Sequence, residues 1–361
     1  MRIKKTVAIV GSAGLPANYG GFETMVNYLT KEKNLEFEFT VFCEKTPKNK
    51  RFKEFNGSSL MYLPFKANGA QSIIYDISSL ILSWFKFDAI LILGTPGCII
   101  LPFLKLFKKT NCIVNFGGLE WKRDKWGKNV QWYLKLTEKV AIDNATSIVA
   151  DNQFFCDYIS EEYGKESILI EYGGDHTSYK EKSSELTKKY PFLNLDYDVS
   201  VSRAQIDNNL HLVLEAYINI PNRNLVLISN YAKFEYGRKL KEKYSGYDNI
   251  IMQDAIYDLN ELDVIRSNAK VYIHSHSFCG TAPSLVEAMS LKLPIVAYNV
   301  PTNRFTTEDK ALLFSNEHEL SNIIQQLSKE KENELSCKVK EIATRRYTWK
   351  RISDNYARLF T

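Results

Sequence analysis

Short apolar runs alternate with longer amphipathic stretches through the first half of this chain. The apolar runs are rich in β-branched residues, and their length is typical of buried strands. These predicted strands cover residues 6–11, 37–43, 60–63, 89–93, 113–116 and 147–150. Helical periodicity covers residues 20–30, 73–85 and 131–144. Strands and helices in alternation predict a parallel sheet with helices on both faces.

The same alternation returns in the second half, after a polar and charged stretch at residues 180–194 that contains Pro191. Predicted strands there cover residues 198–202, 224–229, 250–252, 271–274 and 295–298. Predicted helices cover residues 210–218, 233–244, 259–267 and 283–291, followed by a helical, charged tail at 317–361. The pattern predicts an α/β protein with two Rossmann-like, doubly wound domains.

The interruption in the pattern places the predicted hinge near residues 178–195. We predict an N-terminal domain at residues 1–178 and a C-terminal domain at residues 195–340. A last segment, residues 341–361, is expected to pack back on the N-terminal domain as a helix. Sheets of this kind bind ligands outside the carboxyl ends of their strands, so the two domains are expected to face each other across a ligand-binding cleft.

Composition limits the class of protein without specifying a function. The chain has 361 residues, of which 45% are hydrophobic and 25% charged, as in globular proteins of two domains. Its net charge of +5 is too small to indicate nucleic-acid binding by itself. The six cysteines are scattered without a C-x-x-C pair, which indicates free thiols in a reducing compartment. No apolar run in the sequence is long enough to span a bilayer.

The most informative segment is a loop of small residues that leads into an amphipathic helix at residues 280–298. Gly280 and Thr281 lack bulk, so the backbone N–H groups beside them can approach an anion closely. Pro283 suits the first position of a helix, and Glu287 lies about one turn further on. A diphosphate at the helix start and a ribose on Glu287 would suit a sugar nucleotide. An ordinary loop–helix–strand unit with a solvated Glu287 is an equal alternative for this segment alone.

Longer motifs extend this interpretation across nearly the whole chain. The first is G-S-A-G-L-P-A-N-Y-G-G-F-E-T at residues 11–24, and others lie at residues 118–123, 125–127, 172–176, 202–209 and 300–304. Together with residues 280–287, they resemble the retaining GT-B glycosyltransferases of glycosyltransferase family 4. The motif at 11–24 resembles that of a bacterial rhamnosyltransferase-like subgroup. The resemblance implies the GT-B fold and an enzyme, a metal-independent hexosyltransferase.

The resemblance also implies a donor site for the nucleotide sugar. The implied residues are Gly20, Gly21, Arg203, Asn208, Gly280, Thr281, Ser284, Leu285, Glu287 and Arg304. The paired glycines open a helix whose end could sit against a phosphate or the transferred sugar. Arg203 ends a strand, and its guanidinium could clamp a diphosphate with two hydrogen bonds.

Two positions depart from the family pattern. The lysine expected five residues after Arg203 is replaced by Asn208, so a cation such as Arg304, or the helix dipole, must stabilise the diphosphate instead. The family usually spaces two glutamates eight residues apart, and Cys279 replaces the first of them. Recognition of the transferred sugar is therefore expected from elsewhere, for example from Gly280 and Thr281.

The first predicted domain, residues 1–178, is expected to bind the acceptor, and the second, residues 195–340, the nucleotide sugar. The implied set of acceptor-binding residues is Glu120, Trp121, Lys122, Arg123 and Asp175. A carboxylate beside two cations and an aromatic ring could orient an acceptor sugar and its phosphates. Asp151 ends a predicted strand and is a candidate for acceptor binding or deprotonation, with a helix N-cap as the alternative. Arg203, Glu120 and Asp151 are the catalytic candidates.

No metal or other cofactor is expected. His274 and His276 lie two residues apart near the donor loop, but no matching set of carboxylates or cysteines is evident along the sequence. The co-substrate that the resemblance implies is a nucleotide sugar, dTDP-rhamnose.

Two apolar stretches with basic ends indicate contact with a membrane surface. Residues 98–109 are strongly apolar and end in lysines, and residues 73–86 add further leucines, isoleucines and aromatic residues. Such a surface would hold its apolar side chains in the interface while its lysines meet anionic headgroups. Packing in the core is an equal alternative for these residues.

The function expected from the sequence is transfer of a deoxyhexose, L-rhamnose, from dTDP-rhamnose to a polyprenyl-diphosphate-linked saccharide during capsule or surface-polysaccharide biosynthesis. The enzyme is expected in the cytoplasm, peripherally associated with the inner face of the plasma membrane, and without nucleic acid as a partner. In the superfamily that the chain resembles, the departing diphosphate can help deprotonate the acceptor. Two alternatives stay open: an enzyme resembling UDP-sugar 2-epimerases, and a catalytically weak sugar-nucleotide-binding subunit.

Overall fold

The computed structural model describes residues 4–17, 20–32, 36–123 and 126–361. The chain divides into two compact units, residues 1–171 with 349–361 and residues 172–348. Motif positions 18, 19 and 125 lie outside the described residues.

The first unit is built on one sheet of eight strands. The strands are β1 (Lys5–Val10), β2 (Phe37–Cys43), β3 (Glu54–Phe55), β4 (Ser58–Tyr62), β5 (Ala89–Leu93), β6 (Asn111–Asn115), β7 (Ser147–Ala150) and β8 (Ile168–Leu169). Their order is β3-β4-β2-β1-β5-β6-β7-β8. Only the short β3 runs antiparallel to its neighbour among these described strands. The central strand β5 is buried along its whole length, as its unbroken apolar sequence predicts.

Helices of the first unit cover the sheet between successive strands. They are α1 (Gly21–Lys31), α2 (Ser72–Trp84), α3 (Leu101–Phe107), α4 (Lys128–Asn144) and α5 (Gln153–Tyr163). Tyr75, Leu80 and Trp84 of α2 are fully buried against apolar residues of β1, β2, β5 and β6. This cluster is the core of the unit.

The second unit is built on a parallel sheet of six strands. Its strands are β9 (Tyr197–Val201), β10 (Asn224–Ser229), β11 (Ile250–Asp254), β12 (Tyr272–His274), β13 (Ile295–Tyr298) and β14 (Leu312–Phe314). Their order is β11-β10-β9-β12-β13-β14. The helices are α6 (Ser184–Lys189), α7 (Leu210–Ile218), α8 (Glu235–Tyr244), α9 (Leu259–Ser267), α10 (Pro283–Ser290), α11 (Pro301–Thr307), α12 (Glu317–Gln326) and α13 (Lys329–Arg346).

The C-terminal helix α14 (Trp349–Phe360) belongs to the first unit. Its Trp349 stacks on Tyr28 of α1 at 4.8 Å between ring centroids. Its Phe360 meets the Phe37 ring edge-on at 5.3 Å. Tyr356 is fully buried, and its hydroxyl accepts a 2.7 Å hydrogen bond from the Asn115 side chain at the end of β6. These aromatic contacts join the two ends of the described chain within one core.

The prediction of two α/β domains with parallel sheets is confirmed, and the differences lie in short elements. Residues 184–189 form α6 inside the stretch expected to interrupt the pattern, because the Ser183 hydroxyl caps the helix by accepting from Leu186 N. Helix α5 was not predicted either, and Asn152 caps it by accepting from Phe154 N. Among the described residues, no helix combines the length and the apolarity needed to cross a bilayer.

Replacing Tyr356 with Phe is expected to lower the free energy of unfolding by about 1–3 kcal/mol. The change leaves the buried Asn115 amide without the hydroxyl to which it donates. Urea denaturation measures the loss. Tyr179→Phe, at an exposed side chain, is the matched control and is expected to leave the denaturation midpoint unchanged. Equal midpoints for the Tyr356→Phe variant and the wild type would contradict this account of the C-terminal helix.

The buried Asp76 of α2 leads to a second prediction, which concerns how the stability of the folded state changes with pH. Burial raises the pKa of its carboxyl to about 7. The unfolded chain ionises this group near pH 4, so the folded state loses stability as the pH rises from about 4 towards 7. Asp76→Asn stays neutral, so its gain in stability over wild type is expected to grow by roughly 2–3 kcal/mol between pH 5 and pH 8. Denaturant midpoints at both pH values measure the gain.

Asp143→Asn, at an exposed carboxylate of the same unit, is the control for the pH series. It should shift stability by the same small amount at both pH values. A gain for Asp76→Asn that does not change with pH would show that this carboxyl titrates normally in the folded protein.

Candidate functional site

The second sheet brings two loops together at its carboxyl edge. The chain leaves β9 towards β10 on one side and later returns to β12 on the other side of β9. Ligands of open parallel sheets bind at such a reversal of strand order. The ligand site of this unit is therefore expected at the loops that follow β9 and β12.

Hydrogen bonds hold these two loops against each other. Ser277 N donates to Asp207 O at 3.0 Å, and the Asn209 side chain donates to Ser275 O at 3.1 Å. The Nε2 atom of His276 lies 2.8 Å from the Ser202 hydroxyl oxygen. The loops thus form one connected surface at the sheet edge.

Arg203 lies on this surface, and the side chain of Asn208 is hydrogen-bonded to its backbone. Arg203 is exposed, and within the described part of the chain no acid pairs with it. Asn208 is buried, and its side chain donates to Arg203 O at 2.8 Å. Asn208 therefore stabilises the turn that carries Arg203, and its amide is engaged with the backbone. The guanidinium of Arg203 is therefore a cation that is available to an anionic ligand on this surface.

Helix α10 begins beside this surface. Ala282 precedes the helix and has no side-chain oxygen to cap it, and Pro283 is its first residue. The side chains of Thr281 and Leu285 are buried, so these two residues can present only their backbone to a ligand. Ser284 is partly exposed and hydrogen-bonds the Tyr272 hydroxyl, and Gly280 is also partly exposed. The helix start can therefore bind an anion through backbone N–H groups.

Glu287 of α10 is buried in an ion pair, which rules out the solvated glutamate considered as the alternative. Its Oε2 atom accepts a hydrogen bond from the guanidinium of Arg266 in α9, whose side chain is fully buried. Its Oε1 atom lies 3.2 Å from His176 Nε2. Arg266 also donates to Asp263 at 3.0 Å, one turn earlier in α9. The four side chains form a continuous polar network inside the second unit.

This network keeps the Glu287 carboxylate ionised. Burial raises the pKa of the group, but Arg266 and His176 outweigh burial and bring the pKa down to about 2. The Glu287 side chain keeps 12% of its surface exposed. An ionised carboxylate has about four lone-pair positions, of which Arg266 and His176 use two. Glu287 can still accept hydrogen bonds from sugar hydroxyls at its exposed edge.

Sequence reasoning missed the partners of Glu287. Arg266 was not singled out, although an arginine three residues after Asp263 on a helix is a signal for a local ion pair. His176 was quoted within a motif, but only Asp175 was assigned a role. A backbone contact explains the placement of His176, because a Cβ on Gly174 would lie 2.5 Å from Val286 O. The loop thus passes directly over α10.

Asp175 and Arg304, two further predicted site residues, also lie in the second unit. Asp175 is exposed in a turn closed by a 3.2 Å hydrogen bond from Thr177 N to Gly174 O. The Arg304 guanidinium donates to Asn299 and to Asp309, both at 2.9 Å. Arg304 is therefore partly neutralised by its own neighbour, unlike Arg203.

Glycines bring the loops after β1, β5 and β6 together at the carboxyl edge of the first sheet. Gly11 has a φ of 89°, and a Cβ there would lie 2.3 Å from Leu93 O at the end of β5. Gly117 has a φ of 71°, and a Cβ there would lie 2.9 Å from the ring of Phe22 in α1. The edge is thus formed by closely packed backbone.

Helix α1 starts at this edge with Gly20 and Gly21. The Glu23 carboxylate in its first turn accepts a 2.8 Å hydrogen bond from Ala13 N and lies next to Gly20. A carboxylate beside the helix start disfavours a phosphate there and favours hydroxyl groups. Of the two ligands considered for the glycine pair, the arrangement therefore suits a sugar better than a phosphate.

The motif at residues 118–123 forms a 3-10 turn, Glu120–Lys122, after β6. Glu120 pairs with Arg123 at 3.0 Å. The Lys122 ammonium lies 5.2 Å from the centre of the Trp121 ring. The four predicted acceptor residues of this motif are thus adjacent, and they form a mixed basic and aromatic surface.

Lys135 of α4, which sequence reasoning missed, anchors this surface. Its ammonium lies 4.8 Å from the centre of the Trp121 ring and 2.9 Å from Glu162. Tyr158 of α5 donates to the buried Glu138 of α4 at 2.7 Å. The pattern of apolar positions gave no signal for this cluster, because its members are polar or aromatic residues on two helices.

Asp151 follows β7 and is buried. The helix cap considered as its alternative role belongs to its neighbour Asn152. Asp151 lies at the same sheet edge as the turn that carries Glu120, because β6 and β7 are paired in parallel.

His274 and His276 have a cysteine beside them. Cys279 Sγ lies 3.9 Å from His274 Nε2, and the two imidazole rings are 4.2 Å apart between centroids. The expectation that no cysteine accompanies this pair is wrong, since Cys279 reaches it through the loop. Burial lowers the pKa of His274 to about 3, so this imidazole is neutral.

Family comparison divides the chain into two matched segments. Residues 4–175 match a domain of unknown function, DUF1972. Residues 183–346 match the family described as glycosyl transferases group 1. A search of curated proteins found no match.

Solved glycosyltransferase structures share the architecture over nearly the full length. Sucrose-phosphate synthase from Thermosynechococcus elongatus has a TM-score of 0.80 at 16% identity and covers 99% of this chain and 98% of its own. The Anabaena protein HepE in complex with UDP-glucose has a TM-score of 0.76 at 15% identity, covering 98% of each chain. A glycosyltransferase from Rickettsia africae has a TM-score of 0.75 at 12% identity and covers 99% of this chain and 98% of its own.

At these identities the solved structures establish the fold, and the family match of the second unit adds the activity. The predicted fold and the prediction of a glycosyltransferase are both confirmed. Transfer of a hexose and independence of metal stay predictions. The chain is a glycosyltransferase with the GT-B fold, and its residues 183–346 form a glycosyl transferases group 1 domain.

Proposed function

We propose that the enzyme takes a nucleotide sugar as donor, with its diphosphate at the carboxyl edge of the second sheet. The observation that carries the proposal is an exposed Arg203, with no acidic partner among the described residues, on the same connected loop surface that leads into the start of α10. HepE, a structural neighbour, has been solved with UDP-glucose and with UDP. Arg203 and the backbone of α10 would bind the two phosphates.

Glu287 would bind the ribose next to the diphosphate. Its low pKa keeps it an acceptor, and a ribose hydroxyl can donate to it without the repulsion that a phosphate would meet. Arg266 and His176 orient the carboxylate and thereby act as positioning residues. Cys279 occupies the place of an acid in the family pattern, so Gly280 and Thr281 would contact the transferred sugar through their backbone.

The transferred sugar and the acceptor follow from the resemblance of the motifs. We propose L-rhamnose from dTDP-rhamnose as the donor and a polyprenyl-diphosphate-linked saccharide as the acceptor, in surface-polysaccharide assembly. The acceptor residues would be Glu120, Trp121, Lys122 and Arg123, with Asp151 and Asp175 as further candidates. The aromatic ring of Trp121 and the cations of Lys122 and Arg123 suit a sugar with an attached diphosphate.

Charge stabilisation would carry the chemical step. Negative charge grows on the departing diphosphate as the glycosidic bond breaks, and Arg203 and the start of α10 would stabilise it. The leaving group would accept the proton of the acceptor hydroxyl on the same face, with retention at the sugar. The proposed transfer uses no metal ion.

A donor and acceptor assay tests the function. Purified enzyme is incubated with dTDP-rhamnose, UDP-rhamnose or UDP-glucose, with and without a short lipid-diphosphate saccharide. We expect a glycosylated lipid only from dTDP-rhamnose with the acceptor present. An epimerised nucleotide sugar formed without acceptor would support the epimerase alternative. Nucleotide binding without turnover under every condition would support the weak binding subunit, and a product from UDP-glucose alone would overturn rhamnose as the sugar.

Arg203→Ala is the site variant for this assay. Loss of a charged, two-point contact to the diphosphate is expected to weaken nucleotide binding about 10- to 100-fold, measured by calorimetry with dTDP and UDP. Arg238→Ala, at an exposed arginine of α8, is the matched control. Unchanged affinity in Arg203→Ala would refute the donor site. Glu287→Ala is a less selective probe, because it also strips the buried Arg266 of a partner.

We also propose that the first unit docks on the membrane through the α2–α3 surface, defined as Ile81, Phe85, Phe103, Leu106 and Phe107 with the lysines around them. All five apolar side chains are exposed, Leu106 to 80%. The ends of α2 and α3 lie together, because Trp84 Nε1 donates to Lys108 O at 2.9 Å. Lysines 86, 105, 108 and 109 are exposed around them, which suits anionic headgroups.

Sedimentation with vesicles tests this surface. The double variant Leu106→Ser with Phe107→Ser is expected to weaken binding to anionic phosphatidylglycerol vesicles roughly 10-fold or more, because two apolar side chains no longer enter the interface. Leu195→Ser, at an exposed leucine of the second unit, is the control and should bind as wild type does. Equal binding of all three proteins would exclude the α2–α3 surface as the docking site.

A further inference from the structure

The group formed by His274, His276 and Cys279 is a set of potential metal ligands inside the second unit. The ligand atoms that they offer all lie within 4.8 Å of one another. His274 ends β12, and the other two residues follow in the loop that leads to α10. One ligand thus lies on a rigid strand, and the other two lie in the loop beside it.

The chemistry of this set suits one class of ion. Two imidazole nitrogens and a thiolate match Zn²⁺, which is commonly held by three or four such ligands in a tetrahedron. His274 is buried at the end of β12, so an ion bound to it would be shielded from bulk water. Hard ions such as Mg²⁺ and Ca²⁺ prefer oxygen ligands and are disfavoured here.

Neighbouring groups hold the loop in the shape that the cluster needs. Asn303 is fully buried, and its side chain donates to His276 O at 3.1 Å and to Tyr298 O at 2.9 Å. The His276 Nε2 atom lies 2.8 Å from the Ser202 hydroxyl, the kind of outer contact that orients a ligating histidine. Asn303 Oδ1 lies 4.0 Å from Cys279 Sγ.

We propose that His274, His276 and Cys279 bind one Zn²⁺, or a divalent transition metal of similar softness, with water or the Asn303 oxygen as the fourth ligand. Cys279 loses its thiol proton when the ion binds. The ion links β12 to the loop before α10 and so limits the motion of that loop. The site adjoins the proposed donor site, because Cys279 directly precedes Gly280. The ion takes no part in the proposed transfer, and the inference does not depend on the identity of the donor.

Cobalt binding to tag-free, metal-stripped protein tests the site. Co²⁺ bound to a thiolate gives a charge-transfer band and visible d–d bands, which need no enzyme activity to be observed. We expect one equivalent of Co²⁺ with these bands, and their loss when one equivalent of Zn²⁺ displaces it. Wild-type protein without a thiolate band, or with no bound metal after dialysis against Zn²⁺, would overturn the proposal.

Variants locate the ligands. Cys279→Ser is expected to abolish the thiolate band and to weaken metal binding more than about 100-fold, beyond the loss typical of an outer-shell partner. His276→Gln should weaken binding similarly. Cys337→Ser and His318→Gln, both at exposed positions, are the matched controls and should keep the wild-type spectrum. A spectrum retained in Cys279→Ser but lost in Cys337→Ser would assign the metal to another place.

Discussion

The second unit depends on a fully buried guanidinium, that of Arg266. A charge taken out of water must be compensated by nearby groups, and here Asp263 and Glu287 supply the compensation. The pairing joins α9 to α10 and orients the carboxylate of Glu287. Removing one partner of such a buried pair typically costs about 3–5 kcal/mol. The residue that would hold the donor ribose is therefore also a structural residue, and its position follows from the requirement to neutralise Arg266.

Two arginines of the second unit have different roles, one in the structure and one in the proposed binding of the donor. Arg266 is buried and compensated, whereas Arg203 is exposed at the end of β9 without an acid beside it among the described residues. Asn208 stands where the glycosyltransferases that the motifs resemble usually have a lysine, and its amide stabilises the turn that carries Arg203. The diphosphate in the proposed complex would therefore meet the guanidinium of Arg203 and the start of α10. Without a lysine at position 208, Arg203 carries more of the charge stabilisation than it would beside that lysine.

Parallel strand order explains why residues far apart in the chain share one edge of each sheet. In the second unit, the reversal between β9 and β12 brings Ser202 to His276. In the first unit, the pairing of β6 with β7 places the turn at residues 120–122 and Asp151 on the same edge. The exposed apolar side chains of α2 and α3 lie on helices outside the sheet, which leaves them free for contact with another surface. Within the first unit, the proposed acceptor edge and the proposed membrane surface therefore belong to different elements.

The sequence by itself determined the two α/β domains, because apolar runs and amphipathic periods are local patterns that report burial directly. It also indicated the loop and helix at residues 280–287 and the position of Arg203 at the end of a strand. Only the tertiary structure showed that Glu287 is paired with Arg266, 21 residues away, and with His176, 111 residues away. It alone brought Cys279 to His274 and Lys135 to Trp121. Such contacts depend on how helices and loops pack and on side-chain direction, and no local pattern of hydrophobic and polar residues encodes either.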